Sequence, residues 1–161
     1  GCDLKVITPE VAWAKLHSSN GAIVARGLSG EATLESSNGS IEVHGHEGAL
    51  KLDTSNGDIT ADGVIGSITA DTSNGSIDID LAGGAGATIN ADSSNGSIDV
   101  ALPADFAGTL DCSTSNGKVV NNTKGKTAPG AGKSRATITL GSGGGASKVS
   151  TSNGGVTVTQ K

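Results

Sequence analysis

The sequence predicts an all-β fold, a single-stranded parallel β-helix (β-solenoid) of about eight coils of 18–21 residues with no substantial α-helix, and three observations carry that prediction. The tripeptide Ser-Asn-Gly occurs seven times, beginning at Ser19, Ser37, Ser55, Ser73, Ser94, Ser115 and Ser152, so the successive steps are 18, 18, 18, 21, 21 and 37 residues. A near-constant period of about twenty residues is the mark of a repeat architecture. After each tripeptide, apolar and polar residues alternate with period two, as in a half-buried strand. Finally, 26 glycines, one Trp, one Phe and no Tyr or Met among 161 residues leave only a thin aliphatic core, which a stack of narrow coils needs and a thick globule does not.

Each coil divides into two strands and two reversals. Counting the Ser of the tripeptide as one, position five is Ile23, Ile41, Ile59, Ile77, Ile98, Val119 and Val156, always β-branched. Position seven is Ala25, Val43, Ala61, Ile79, Val100, Asn121 and Val158. A second strand precedes the tripeptide, with inward pairs at Ala32 and Leu34, Leu50 and Leu52, Ile68 and Ala70, Ile89 and Ala91, and Leu110 and Cys112. Glycine corners join the two: "RGLSG", "HGHEG", "DGVIG", then the longer "LAGGAGA" and "LPADFAG". Asn and Gly tolerate positive φ, which assigns the tripeptide to a chain reversal. An antiparallel meander or sandwich would use the same Asn-Gly as a hairpin turn. The solenoid is favoured because every position keeps its chemical character from unit to unit, as direct stacking requires.

In such a stack Asn20, Asn38, Asn56, Asn74, Asn95, Asn116 and Asn153 form a ladder along one edge, with rungs roughly 4.8 Å apart and amides bonded rung to rung. The chain reads as one domain, 1–161, on the order of 40 Å long. Residues 1–18, with the only Trp, are the expected N-terminal cap. The polar stretch "NTKGKTAPGAGKSR" at 122–135 reads as an exposed loop excursion, the 37-residue step implies an extra rung within 118–151, and 148–161 reads as the strands that close the rod.

These phrases, "SSNGAIVARGLSG", "SSNGSIEVHG", "TSNGDITADG", "TSNGSIDIDL", "SSNGSIDVALPADFAG" and the closing "LGSGGGASKVSTSNGGVTVTQK", resemble the bacterial adhesin-like β-strand-repeat domains of unknown function. The resemblance runs from about residue 4 to 161. It implies an extracytoplasmic β-helix (periplasmic, cell-surface or secreted) with no established activity, catalytic residues or cofactor.

The residues themselves offer little chemistry. Net charge is −5 with scattered lysines and arginines, so the basic footprint of a nucleic-acid binder is missing. No run of about 18 apolar residues is present to insert into a bilayer. Cys2 and Cys112 are too few for a disulfide framework; Cys2 is a candidate lipidation site and Cys112 reads as an inert core thiol. His44, His46 and Glu47 in "HGHEG" read as solvated corner residues rather than metal ligands. Asp78 and Asp99 align on neighbouring coils and, with Asp80, are the weak candidates for a cation, against the commoner reading of a solvated acidic face. No nucleophile elbow, phosphate loop or metal motif occurs.

The functional expectation is a non-catalytic structural or interaction module, adhesin-like, presenting a rigid rod to a protein or glycan partner. Lys124, Lys126, Lys133 and Arg135 concentrate positive charge on an acidic chain and mark the possible interaction loop. The alternative is a membrane- or lipid-anchored periplasmic scaffold or sensor. A glycan-cleaving β-helix lacks its aromatic platform here, and an ice-binding solenoid lacks regular Thr rows.

Overall fold

The computed structural model describes residues 3–7, 13–83, 86–129 and 134–161. These form an all-β solenoid. The strands are β1 (Leu4–Ile7), β2 (Trp13–Ser18), β3 (Ile23–Ser29), β4 (Glu31–Ser36), β5 (Ile41–Glu47) and β6 (Leu50–Asn56). They continue as β7 (Ile59–Ile65), β8 (Ile68–Asn74), β9 (Ile77–Gly83), β10 (Ile89–Asn95), β11 (Ile98–Leu102) and β12 (Gly108–Asn116). The last five are β13 (Val119–Asn122), β14 (Lys126–Pro129), β15 (Arg135–Leu140), β16 (Ala146–Asn153) and β17 (Val156–Gln160). One sheet runs β1-β3-β5-β7-β9-β11-β17-β13, and the other β14-β15-β12-β16-β10-β8-β6-β4-β2.

Equivalent residues sit on equivalent residues. Ile23, Ile41, Ile59, Ile77, Ile98, Val156 and Val119 follow one another as paired positions in the first sheet. Leu16, Leu34, Leu52, Ala70, Ala91, Val149 and Cys112 do so in the second. Between the sheets these columns form one continuous aliphatic core. The step from β8 to β10 is 21 residues and yet the register is kept, because the additional residues are absorbed in the corner after β9.

The asparagine ladder is continuous. Each Nδ2 donates to the Oδ1 of the rung before it: Asn38 to Asn20 at 3.0 Å, Asn56 to Asn38 at 3.0 Å, Asn74 to Asn56 at 2.9 Å and Asn95 to Asn74 at 2.9 Å. The next bonds run Asn153 to Asn95 and Asn116 to Asn153, both at 2.8 Å. A second ladder lies just inside it. The hydroxyls of Ser36, Thr54, Thr72, Ser93, Thr151 and Thr114 donate to the glycine carbonyl of the neighbouring rung at 2.8–3.5 Å. All six hydroxyl residues are buried, so each polar side chain carries its own partner into the core.

The role expected of the tripeptide glycine needs correcting. Among the described residues only glycines have positive φ; of the tripeptide glycines Gly154, at φ 156° and close to extended, is one of them, whereas Gly39, Gly57, Gly75, Gly96 and Gly117 are not. They are glycine because rungs meet backbone to backbone. A Cβ on Gly57 would lie 2.4 Å from the carbonyl oxygen of Gly39, and one on Gly75 2.0 Å from that of Gly57. Positive φ is used instead at the opposite corners, where Gly30, Gly48 and Gly66 stack at φ 83°, 130° and 134°.

The C-terminal segment also differs from expectation. Residues 148–161 do not close the rod: β16 and β17 lie between the β10/β11 coil and the β12/β13 coil, and Asn153 stands between Asn95 and Asn116. The cause is the reversal within 122–135, which is not wholly loop. β14 pairs antiparallel with β15, and β15 antiparallel with β12, returning the chain to the start of β12. The free strand edges available there are those of β10 and β12 across an unfilled rung, and β16 pairs with both. Residues 130–133 within that reversal, Lys133 among them, and Cys2 lie outside the described residues.

At the other end, Trp13 is 73% exposed, because the alternation in β2 directs Ala14 and Leu16 inward and Trp13 outward. The N-terminal unit therefore places no aromatic ring over the core.

Candidate functional site

A surface hollow of about 590 Å³ lies beside the irregular end of the stack, where the corner after β11 meets the turn into β14 and the end of β15. Its length of backbone is set by small residues. A Cβ on Gly125 would come within 2.8 Å of the Thr139 carbonyl and 2.9 Å of the Leu140 side chain, so only glycine lets the 124–126 turn rest on β15. Phe106 and Leu140, 3% and 4% exposed, supply an apolar floor. The Gln160 amide ties the walls together: its Nε2 donates to the Ala104 carbonyl, and its Oε1 accepts from the Lys124 backbone N–H, each at 3.3 Å. Lys124 and Lys126 stand exposed on the rim, with Asp105 opposite in charge. The arrangement sets two ammonium groups, a carboxylate and an amide around a small apolar floor, which suits a polar ligand carrying an anionic group.

Of the four basic residues of the sequence reading, Lys133 lies outside the described residues and the other three separate. Lys124 and Lys126 reach the groove, whereas Arg135 is committed to the sheet surface, donating from Nε and Nη2 to the two carboxylate oxygens of Asp111 at 3.3 and 2.7 Å. Phe106 and Gln160 went unrecognised in the sequence. The long "LPADFAG" corner was the only available signal for Phe106, and none pointed to Gln160.

Asp78 and Asp99 are paired neighbours as expected, while Asp80 pairs in register with Ala101 and binds the Lys161 ammonium. Burial, then the charges of Asp99, Asp80 and Asp62, raise the Asp78 carboxyl above its usual range. A longer acidic file lies on the other sheet, where Asp53, Asp71 and Asp92 occupy three successive rungs. Its signal was legible as an Asp two residues before each of three tripeptides. Burial, then Asp53 and Asp92, raise Asp71. Ser150 Oγ donates to Asp92 Oδ2 at 2.5 Å on the next rung. Among the described residues, no group of three or more His, Cys, Asp or Glu side chains is arranged to hold a metal ion.

His44 and His46 do not act together. His44 faces outward, its Nδ1 3.5 Å from Asp62 Oδ2. His46 is not the solvated corner residue expected: it is 2% exposed, stacked between Leu28 and Val64, and neither ring nitrogen has a hydrogen-bond partner. Burial lowers its pKa below the usual 6.5, and the nearby peptide groups of Ala49, Leu28 and Gly30 offset only part of that. Because the unfolded chain then takes up the proton first, His46 penalises the fold progressively as pH falls below about 6.5. His46→Leu, matching Leu28, is expected to stabilise the protein by about 1 kcal/mol or more at neutral pH, roughly 2–4 °C in Tm. The gain should widen between pH 6.5 and 5.5, as read by thermal melts at each pH. Cys112 is equally enclosed, and burial followed by the Asp111 charge pushes its thiol up to about 12, so it stays protonated and unreactive at neutral pH.

The model of one family, DUF7330, a domain of unknown function, matches residues 15–125. The chain belongs to the DUF7330 family. The matched span runs from Lys15 within β2 through β13 and ends at Gly125, so in this DUF7330 chain the β14/β15 hairpin and the inserted β16/β17 coil lie beyond it. Nothing among curated proteins or solved structures matches the chain.

Proposed function

We propose that this DUF7330 chain is a non-catalytic interaction module, adhesin-like and extracytoplasmic, whose stiff solenoid holds the groove beside Lys124 and Lys126 for an acidic glycan. The observation that carries the reading is the groove itself. On an acidic protein whose regular faces are flat ladders, it is the place where an apolar floor and two ammonium groups converge. Two lysines on a rim select for carboxylate-bearing partners, with an affinity that weakens as salt screens the pair. The solenoid contributes rigidity: β15 at the groove is held by its antiparallel ladder with β12, and the Gln160 amide ties the corner after β11 to the turn into β14, so little order is lost on binding.

Screening the intact chain against acidic and neutral oligosaccharides tests this. Binding should be confined to acidic ligands and should fall at least about tenfold in Lys124→Glu/Lys126→Glu, since each lost ion pair is worth about 1 kcal/mol and is replaced by repulsion. Binding of neutral and acidic sugars alike, or binding untouched by the double substitution, would remove the groove from consideration.

A further inference from the structure

The coil that comes last in the chain is not last in space. β16 and β17 fill a slot one rung wide, held by parallel pairing on both sides: β16 against β10 and β12, β17 against β11 and β13. Their other anchors also belong to the body of the rod. Thr151 donates to the Gly96 carbonyl, Thr114 to that of Gly154, the Ile89 N–H to Ser147 Oγ, and the Lys161 N–H to the Leu102 carbonyl. The coil has no ladder with β15, the strand that leads into it. Only residues 141–145, Gly-Ser-Gly-Gly-Gly, join the two, and Gly141, Gly143 and Gly144 all have positive φ.

We propose that this coil is exchangeable, and that the partner it fits is a second copy of the same chain. In a reciprocal dimer, residues 146–160 of each copy occupy the slot of the other. Every strand pairing of the coil is with the body, so each is remade unchanged after exchange. What differs is the course of the five-residue hinge and the entropy of association, and a glycine hinge adopts a new course at little cost. The slot also accepts a rung by repeat chemistry rather than by a unique shape. The same asparagine, hydroxyl and β-branched positions recur in every coil, so a coil from another copy fits as well as its own. Because the slot is closed on both sides, exchange occurs during folding and not by collision of folded monomers. One consequence concerns the groove: Gln160, which ties its walls, would come from the partner, giving two grooves on one rigid pair. The exchange itself does not depend on the groove having a ligand.

Asp92 and Ser150 face each other on adjacent rungs, one in the body and one in the exchanged coil, at a spacing a disulfide can bridge. In full-length chains carrying Cys2→Ser and Cys112→Ala, one preparation receives Asp92→Cys and the other Ser150→Cys. Refolding the two together at high concentration should give a disulfide-linked heterodimer on non-reducing gels. Refolding when dilute, or mixing the chains after each has folded, should give none. Absence of the heterodimer, when a single chain bearing both substitutions closes its own bond, overturns the proposal. The unsubstituted chain gives a second measurement by size exclusion with light scattering. Concentrated refolding should yield a species of doubled mass that survives dilution and reverts only on unfolding. Monomer at every concentration, or a dimer that dissociates on dilution alone, overturns the proposal. Loss of glycan binding in the lysine variants changes none of these readouts.

Discussion

Gly75→Ala, a single added methyl group, should cost at least about 3 kcal/mol, a large part of the 5–15 kcal/mol that holds a domain together. The new Cβ would lie 2.0 Å from the Gly57 carbonyl oxygen and 2.6 Å from its carbon, well inside van der Waals contact. That carbonyl cannot give way cheaply. It accepts the Thr72 hydroxyl at 3.1 Å, and the Gly57 N–H donates to the Asn74 carbonyl at 3.1 Å, so moving this peptide strains two bonds to β8. Two comparisons separate this effect from other roles of glycine. Gly45 has φ 69° and open space where a Cβ would stand, so Gly45→Ala should cost only the left-handed penalty of about 1–2 kcal/mol. Gly83 has ordinary φ and open space apart from Ile65 at 3.9 Å, so Gly83→Ala should be close to neutral. Urea melts of the three variants check the order, and equal effects at Gly75 and Gly83 would refute backbone contact as the reason for the glycine.

Deleting 146–161 should have the second large effect, and its pattern is more informative than its size. Without β16 and β17, the β12/β13 coil stands two rungs, roughly 10 Å, from the β10/β11 coil and loses its parallel partner. In a stack where each rung is stabilised by its neighbours, that break isolates everything beyond it. Residues 13–102 keep their ladders, while β12, β14 and β15 are left as a short sheet and β13, which pairs with β17, is left single. Since six of the seventeen described strands are then lost or unsupported, the β signal in circular dichroism should drop by about a third. Limited proteolysis should cut between 103 and 140 and spare the rest. A truncated chain that melts in one transition at the full-length temperature, with 108–140 still protected, would contradict this.

What was legible in the sequence was whatever repeats. The tripeptide period gave the coil, the β-branched position after it gave Ile23 through Val156 as a core column, and the constancy of Asn gave the outer ladder. The hydroxyl before each tripeptide was equally regular, and Thr54, Thr72 and Ser93 could have been recognised as an inner ladder from that regularity. The order of the rungs was not legible, and the reason is physical. Like stacks on like, so a Ser-Asn-Gly coil fits beside any other, and nothing local in 146–160 says that it belongs between Asn95 and Asn116. The reversal depends on β15 pairing antiparallel with β12, a long-range choice that composition does not reveal. His46 was misread because a corner glycine shifts the alternation: Gly45, at φ 69°, turns His46 inward where a solvated residue was expected. The groove was half legible, since the lysines stood out by charge while Phe106 and Gln160 are placed by the irregular coil alone.

The order of the asparagine rungs is the most direct test of the whole arrangement. In a nuclear Overhauser spectrum of the folded chain, the side-chain amide of Asn153 should show contacts to both Asn95 and Asn116, and Asn95 should continue to Asn74. Asn95 and Asn116, about two rungs or roughly 10 Å apart, should show none to each other. A direct contact between Asn95 and Asn116, with Asn153 beyond the end of the series, would contradict the inserted coil and the stack built around it.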